Sequence, residues 1–174
     1  MADRKPIMAL ANQLMTGQIG REAFLHGLTK EITVQLGCTR ASFWVYSDQL
    51  RSGIDLVCLY DAGTGEYASG MHLSEDDFGP YFEAMRTDDL IVASEALTHP
   101  ATRCFKELYF EPLNIFSLLD VGVSVNGAPF GLFCCENVSF VKRWTDDDVK
   151  FLRETGVLIG LALKRAAARE ATMA

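Results

Sequence analysis

The strongest pattern of hydrophobic and polar positions spans residues 115–137 and predicts two long β-strands that fold back on each other at Asn126-Gly127. Asn-Gly between two apolar runs favours a type I′ turn, because this turn needs positive φ at both central residues. One face of the first strand is aliphatic, and the other carries small residues and the carboxylate of Asp120. The second strand is apolar on both faces, which is typical of a strand covered on both sides. We therefore expect a central hairpin that packs on helices on one side and borders a cavity on the other.

Apolar residues spaced three and four apart predict helices at both ends of the chain. A short first segment is interrupted around Gly17 and Gly20, and a longer helix from Arg21 ends at Gly37, a residue type that often terminates helices. After Thr145, three aspartates favour the start of a long final helix, because acidic side chains stabilise a helix N-terminus. We expect these helices to pack on one face of the sheet.

The apolar stripe of the final helix is about two faces wide. One side carries Val149, Leu152, Ile159 and Leu163, and the other carries Phe151, Leu158 and Ala162. Since packing on one sheet needs only one apolar face, the surplus predicts a homodimer joined through the terminal helices.

Between the terminal helices, turn formers separate shorter apolar and aromatic runs. The predicted strands are residues 40–47, 54–60, 66–73 and 90–93. One mid-chain helix is expected to start after Ser74 with an aromatic stripe, and a second to open at Thr98-His99-Pro100 and stop at Glu111-Pro112. This element order predicts an α+β fold around one antiparallel sheet.

Composition and charge exclude several classes of partner. The 174 residues, 49% of them hydrophobic, suffice for one domain with a large core. The formal net charge of −7 and the scattered basic residues argue against nucleic acids and anionic membranes, which need clustered Lys and Arg. No window of about 18 apolar residues predicts a membrane span, and the first ten residues lack the apolar core of a signal peptide. We therefore expect a cytoplasmic protein without nucleic-acid or membrane partners.

Five cysteines, an odd number without a CxxC pair, argue against a disulfide framework and against a zinc site. We expect them to behave as small buried hydrophobes. The vicinal pair Cys134-Cys135 leaves a redox role open, although neighbours in a strand point to opposite faces.

Five segments between Cys38 and Lys164 form a recognisable series. They are Thr39-Arg40-Ala41-Ser42, the excursion SGMHLSEDDFGPYFEAMRTDD, the segment ALTHPATRCFKELYFEPLNIFSLLDVGV, the hairpin end GLFCCEN and Arg143-Trp144-Thr145. On these segments, the run from about Cys38 to Lys164 resembles a GAF domain, the sensory module related to PAS domains. The chain is most similar to bacterial GAF domains that precede histidine kinase or diguanylate cyclase outputs. On this basis it divides into an N-terminal helical extension (1–20), a GAF domain (21–168) and a C-terminal tail (169–174).

The resemblance implies about six antiparallel strands, with the terminal helices on one face and a ligand pocket on the other face under the mid-chain helices. It also implies a small-molecule sensor in bacterial signal transduction that acts through a dimer on an output kinase or cyclase domain. GAF ligands include cyclic nucleotides, bilins, haem, nitrate and small metabolites. This sequence lacks the NKFDE motif of cyclic-nucleotide-binding members and has no Cys-His pair of the kind that attaches a bilin in phytochromes. The ligand therefore stays unidentified.

Two alternatives stay open. One is a redox enzyme of the free methionine sulfoxide reductase kind, although the vicinal cysteines do not reproduce the spaced cysteines of those enzymes. The other is a GAF domain without a ligand that serves only as a dimerisation module. We expect no enzyme, because no Ser-His-Asp, Cys-His or acidic metal-binding arrangement falls near the predicted pocket.

Nine side chains are candidates for ligand contact. They are Ser42, Trp44, Tyr46, Phe78, Tyr81, Phe82, Arg103, Asp120 and Cys135. The aromatic candidates are equally compatible with ordinary core packing. Asp120 should be paired if it is buried, and Arg103 on the second mid-chain helix is the expected partner, in a structural ion pair or at the ligand. His72 and His99 lie beside turns and are expected to be exposed or capping residues.

Overall fold

A computed structural model, which describes residues 2–174, contains one antiparallel sheet of seven strands with helices on both faces. The strands are β1 (Arg40–Tyr46), β2 (Gly53–Asp61), β3 (Glu66–Ala68), β4 (His72–Ser74), β5 (Leu90–Ala93), β6 (Ile115–Val125) and β7 (Ala128–Val138). The α-helices are α1 (Lys5–Thr16), α2 (Arg21–Leu36), α3 (Glu75–Asp88), α4 (Glu111–Leu113) and α5 (Asp146–Met173). The strand order is β3-β2-β1-β7-β6-β5, and β4 pairs with β2 beside β3. The α+β class and the single antiparallel sheet predicted from the sequence are confirmed.

The predicted hairpin is formed by β6 and β7. Asn126 and Gly127 have φ values of 54° and 75°, the left-handed region that a type I′ turn requires at both positions. In β7, every residue from Gly131 to Asn137 is buried, as expected for a strand covered on both faces.

A β-bulge near the turn shifts the register of this hairpin. Val123 pairs with Gly131, whereas the next residue, Ser124, pairs with Pro129, so Phe130 is an extra residue in β7. This bulge moves the pairs from Val123–Gly131 to Ser117–Asn137 by one position relative to a regular hairpin. Because side chains alternate between faces, the shift decides which β7 residues face which side of the sheet.

Helices α1, α2 and α5 cover one face of the sheet. As predicted, α2 ends at Gly37 in the left-handed conformation (φ 60°), and α5 begins with Thr145 and Asp148 in a reciprocal capping box. The buried core on this face includes Phe24, Leu28 and Ile32 of α2, Leu119, Val121 and Val123 of β6, and Leu152 and Ile159 of α5. The final helix continues through Met173, into the predicted C-terminal tail.

Helix α1 packs against α5 and takes up part of the apolar surplus that predicted a dimer. Ile7, Ala11 and Leu14 of α1 are buried in the same core as Phe151 and Ala162 of α5. The second side of the α5 stripe is therefore largely covered within one chain.

The opposite face of the sheet is covered by α3 and by the segment from Arg103 to α4, and two details here differ from the sequence predictions. The predicted strand 66–73 is two short strands, which both pair with β2 and are separated where Gly70 adopts a φ of 85°. Helix α3 begins after Ser74, as predicted, and is kinked at Phe78, two residues before Pro80, because proline cannot donate the helical hydrogen bond and crowds the preceding turn.

The second mid-chain helix begins at Arg103 instead of Thr98. Residues 98–102 form turns, because the Thr102 hydroxyl donates to the Ala96 carbonyl at 2.7 Å and folds this segment back on itself. The helix then passes from a 3₁₀ turn (Arg103–Phe105) through a π-helical turn (Lys106–Phe110) into α4. Among residues 2–174, no helix combines the length and the apolar character needed to cross a membrane.

Candidate functional site

A small cavity lies between the sheet and the cover formed by α3 and the Arg103–Leu113 segment. Its volume is about 20 Å³, slightly more than the ~10–15 Å³ that one water molecule requires. Its walls are mostly aromatic and aliphatic, with two carboxyl groups among them. The lining residues are Trp44, Ile54, Leu73, Tyr81, Phe105, Tyr109, Phe110, Leu118, Asp120, Cys134 and Glu136.

Strand register brings the polar lining residues together. Ser42 of β1 and Asp120 of β6 both pair with Cys134 of β7, so these three side chains lie in one row across the sheet. The Ser42 hydroxyl accepts a hydrogen bond from the Trp44 indole at 2.8 Å and donates to the Cys134 carbonyl at 3.3 Å. These bonds fix the Trp44 ring as one wall of the cavity.

Asp120 is 1% exposed and has one strong hydrogen bond. The Tyr81 hydroxyl donates to its Oδ2 at 2.5 Å, whereas Oδ1 has no partner of acceptable geometry among residues 2–174. Burial raises the pKa of Asp120 to about 7, and the nearby Glu136 carboxylate adds to the rise. The Tyr81 hydroxyl and the weakly donating Cys134 thiol act in the opposite direction. Asp120 is therefore poised between its neutral and ionised forms near neutral pH.

Glu136, the second carboxyl group, has a cationic partner. Arg40 Nη1 lies 3.3 Å from Glu136 Oε2, and Arg40 Nε lies 3.7 Å from Asp61 Oδ2. The Tyr109 hydroxyl donates to Glu136 Oε2 at 3.4 Å, and its ring lies 5.9 Å from the Arg40 guanidinium carbon. Burial raises the pKa of Glu136, and the charge of Arg40 opposes that rise. Of the two carboxyl groups in the cavity, Glu136 thus has a counter-ion and Asp120 has a hydroxyl donor.

Aromatic contacts hold the cover of the cavity in place. Phe78 stacks on Phe105 with ring centroids 4.3 Å apart, and Tyr81 contacts Phe105 edge-on at 5.1 Å. Phe82 contacts Tyr81 edge-on at 5.3 Å from a fully buried position. Pairs of this geometry contribute roughly 0.5–1.5 kcal/mol each beyond the burial of their surface.

Seven of the nine candidate residues lie on the cavity side of the sheet. Trp44, Tyr81 and Asp120 line the cavity itself. Ser42, Phe78 and Phe82 pack immediately behind this lining. Tyr46 shares their face, but its ring lies under the Arg51 guanidinium at 5.2 Å and outside the cavity.

Two candidates lie elsewhere, and both placements correct the sequence prediction. Arg103 is exposed at the start of the 3₁₀ turn, and Asp120 is contacted by Tyr81 instead. Cys135 is fully buried on the helix-covered face. A regular hairpin would place Cys135 opposite Leu118 on the cavity side, but the bulge at Phe130 pairs Leu118 with Glu136.

Four polar lining or supporting residues were missed: Arg40, Tyr109, Cys134 and Glu136. Two of them left a signal in the sequence. Arg40 is two positions before Ser42, so strand alternation places both on one face. Glu136 is the one charged residue in the mostly apolar strand β7, and a buried charge requires a partner.

The two histidines predicted beside turns, His72 and His99, lie away from the cavity lining. His72 is half-exposed with Nδ1 2.7 Å from Asp55 Oδ1, and His99 Nδ1 accepts the Ala101 backbone N–H at 3.2 Å. In the described part of the chain, no group of three or more His, Cys, Asp or Glu residues is arranged to hold a metal ion.

Comparisons with known proteins agree with this architecture. A family model described as GAF domain matches residues 20–163. The phycoerythrobilin-bound GAF domain from a cyanobacterial phytochrome superposes with a TM-score of 0.77 at 10% identity, covering 98% of this chain and 99% of that chain. The blue-light absorbing form of the Thermosynechococcus elongatus PixJ GAF-domain gives 0.72 at 19% identity, covering 92% and 93%. Residues 122 to 287 of a methyl-accepting chemotaxis protein give 0.70 at 18% identity, covering 93% and 99%. A search of curated proteins found no match.

Proposed function

This chain belongs to the GAF domain family, and we propose that it is a sensor that binds a small molecule in the cavity beside Asp120 and Glu136. The observation that carries the proposal is a buried Asp120 oxygen that has no hydrogen-bond partner among residues 2–174, on a residue that lines a small cavity with room for about one or two heavy atoms. Burying a carboxyl group without full hydrogen bonding costs stability, which a purely structural core avoids by using apolar residues. Perturbed carboxyl groups in a cavity are typical of functional sites.

The size of the cavity favours a compact ligand. Pockets for drug-sized molecules enclose roughly 300–1,000 Å³, far more than the cavity here. A bilin, which the phytochrome neighbour carries, would require α3 and the Arg103–Leu113 segment to move outward together. We therefore propose a molecule of a few heavy atoms instead of a bilin.

Strand β6 provides a route from the cavity to the terminal helices. Asp120 faces the cavity, whereas its neighbours Leu119 and Val121 are buried against the helices on the other face. A change in the charge or contacts of Asp120 would shift β6 and, through it, α5, which makes the most contacts with β6 of any helix. We propose that α5 transmits this shift to a bacterial output kinase or cyclase domain in the cytoplasm.

The proposal includes a homodimer through the terminal helices. Val157 and Leu161, one turn apart on α5, are 75% and 44% exposed, and Met8 on α1 is 56% exposed. These side chains remain exposed after α1 has covered Phe151 and Ala162, and a second copy related by two-fold symmetry would bury them.

We further propose that the chain is no thiol-dependent enzyme. Burial raises the pKa of both Cys134 and Cys135, and the neighbouring Asp120 raises the pKa of Cys134 further. The reactive form of cysteine is the thiolate, which such surroundings disfavour. Freshly reduced protein should show no turnover of free methionine sulfoxide, and turnover that disappears in Cys134→Ser would establish the redox alternative.

Native mass spectrometry of freshly purified protein tests the sensor proposal, together with thermal shifts against a panel of small amines, amino acids, carboxylates and alcohols. We expect either a retained small molecule or a saturable stabilisation by one chemical class. Binding to the native state raises apparent stability in proportion to the logarithm of ligand concentration above Kd.

Substitutions at two adjacent residues, made one at a time, test whether the ligand binds in the cavity. Cys134→Met adds bulk to the cavity and should abolish ligand binding, whereas Cys135→Met adds the same bulk to the helix-side core and should only lower stability. Ligand binding that survives Cys134→Met unchanged, or the absence of any retained or stabilising molecule, would contradict the proposal.

A further inference from the structure

The charges around the cavity do not balance, and this imbalance identifies a ligand class for the proposed sensor site. Glu136 and Arg40 form an ion pair, and Arg40 also contacts Asp61 and the Tyr109 ring. Among the cavity-facing groups that the structure describes, no cation is left for Asp120, whose only strong contact is the Tyr81 hydroxyl. An ionised carboxylate buried in this way lacks one positive charge.

The buried acceptor atom Oδ1 of Asp120 also favours a ligand that carries a hydrogen-bond donor. Oδ1 of Asp120 is buried and has no hydrogen-bond partner among residues 2–174, and Asp120 is one of the residues that line the cavity. A ligand in the cavity that shifts this side chain slightly would supply the missing donor. An anionic ligand would be repelled by both carboxyl groups, and a neutral ligand would leave the charge of Asp120 uncompensated. A positively charged N–H group satisfies the charge and the hydrogen bond together.

The walls of the cavity favour a cation as well. Five of the lining residues are aromatic: Trp44, Tyr81, Phe105, Tyr109 and Phe110. Aromatic faces attract ammonium groups through their ring quadrupole, and the attraction is largest where water is excluded. A small alkyl group on the cation would contact the same rings and Leu118 without further polar groups.

We propose that the cavity binds a small alkylammonium ion whose N–H donates to Asp120 Oδ1 and whose alkyl group packs on the aromatic walls. This inference rests on the proposed sensor function and assigns the chemical class of its ligand. The volume of about 20 Å³ favours methylammonium, the smallest such ion, and ethylammonium would require the lining side chains to move outward.

Binding should be linked to a proton. The titratable or charged groups that face Asp120 are Tyr81 from α3, Cys134 and Glu136 from β7 and Tyr46 from β1. Burial raises the pKa of both tyrosines and of the thiol above the neutral range, so these groups stay uncharged, and Glu136 is held by Arg40. Because Asp120 has a pKa of about 7 without a ligand, a cation that binds its ionised form displaces the proton below that pH.

Isothermal titration calorimetry on the full chain with methylammonium and ethylammonium chloride tests the proposal. Ethanol is the neutral control, and potassium chloride is the control for a cation without N–H groups. We expect saturable binding of an alkylammonium ion alone, about tenfold weaker at pH 6 than at pH 8. At pH 6, titrations in two buffers of different ionisation enthalpy should show release of close to one proton per bound ion.

Two substitutions distinguish the effect of the charge in the cavity on binding from the effect of the net charge of the protein. Asp120→Asn keeps the shape and an acceptor for Tyr81 but removes the charge, and it should abolish binding. Asp77→Asn removes an exposed carboxylate from α3 and should bind like the wild type. The proton release in wild-type protein supplies a readout that does not depend on the folding of Asp120→Asn.

The outcomes distinguish this inference from the proposed function. Any of three results would overturn the cation assignment. They are binding of the alkylammonium ion to Asp120→Asn as tightly as to the wild type, binding of potassium or ethanol as tightly as the alkylammonium ion, and binding of the ion without proton release. A non-cationic molecule retained in native mass spectrometry and lost in Cys134→Met would also overturn it, while the sensor proposal would stand. If neither the alkylammonium ions nor any other molecule binds, both proposals fail.

Discussion

Two glycines of α5 allow a close test of how this helix sits on β6. Gly156 and Gly160 are one turn apart, and both are buried. A Cβ atom on Gly156 would lie 3.4 Å from Val123 Cγ2 and 3.6 Å from the Gly122 carbonyl oxygen, which are ordinary contacts. A Cβ atom on Gly160 would lie less than 3.0 Å from the Ser124 carbonyl oxygen, a separation that real Cβ atoms essentially never show.

The same change, glycine to alanine, should therefore have opposite effects at the two positions. In a helix interior, alanine is favoured over glycine by roughly 1 kcal/mol, and Gly156→Ala should be stabilising by up to about that amount. At Gly160 the obstacle is backbone, which cannot rotate away, so α5 must lift from the sheet. Overpacking of this kind costs roughly 1–3 kcal/mol. Because both variants gain the same helix propensity, the difference between their free energies of unfolding measures the clash alone.

Urea unfolding, followed by far-UV circular dichroism, provides the measurement. With a slope of roughly 2 kcal/mol per molar urea, the midpoints of the two variants should differ by about 0.5–1.5 M, with Gly160→Ala the less stable. Equal midpoints, or a Gly160→Ala variant more stable than Gly156→Ala, would refute the close approach of α5 to β6. The route from the cavity to the terminal helices would then lose its structural basis.

Three further predictions concern the turn, the buried carboxyl group and the dimer. Gly127→Val should be destabilising by roughly 1–3 kcal/mol in thermal unfolding, because the φ of 75° at this position strains a β-branched residue. Gly127→Asn is the control, since asparagine tolerates this conformation. Unchanged stability of the valine variant would contradict the type I′ turn. Asp120 stays protonated in the folded state up to a pH of about 7 but ionises above about 3.8 when unfolded, so folding stability should fall as pH rises between these values, by at most on the order of 4 kcal/mol. Asp120→Asn should abolish this fall in urea unfolding, and an identical pH profile would show that another group causes it. Size-exclusion chromatography with light scattering at tens of micromolar should find a dimer that Val157→Glu weakens and Val34→Glu on α2 does not; a strictly monomeric wild type would exclude the dimer.

The features predicted correctly from the sequence are those fixed by neighbouring residues. Asn126-Gly127 determines its turn through two backbone angles, and Thr145 with Asp148 caps α5 within one turn. Gly37 ends α2 in the same local way. Signals of this kind require no knowledge of distant parts of the chain, so α2, the start of α5 and the hairpin were placed within a residue or two, whereas the end of α5 was not.

The errors arose where a distant contact or a register decides the outcome. The choice of Tyr81 over Arg103 as the partner of Asp120 depends on how α3 crosses β6, which no local pattern encodes. The face of Cys135 depends on one extra residue, Phe130, between Pro129 and Gly131. Proline and glycine inside a strand are typical of bulges, so this sequence carried a signal that strict alternation overlooked.

The order of strands in the sheet also constrains how the chain can be synthesised. β1 lies at the centre of the sheet, yet one of its two neighbours, β7, is complete only at Val138, long after β1 ends at Tyr46. At ~5–20 residues per second, a growing chain holds β1 with one edge unpaired for roughly 5–20 s. An unpaired edge is a template for strands of other chains, and pairing across such a sequence separation is slow. Slower translation between β1 and β7 should therefore lower the soluble yield, although the finished fold pairs both edges of β1.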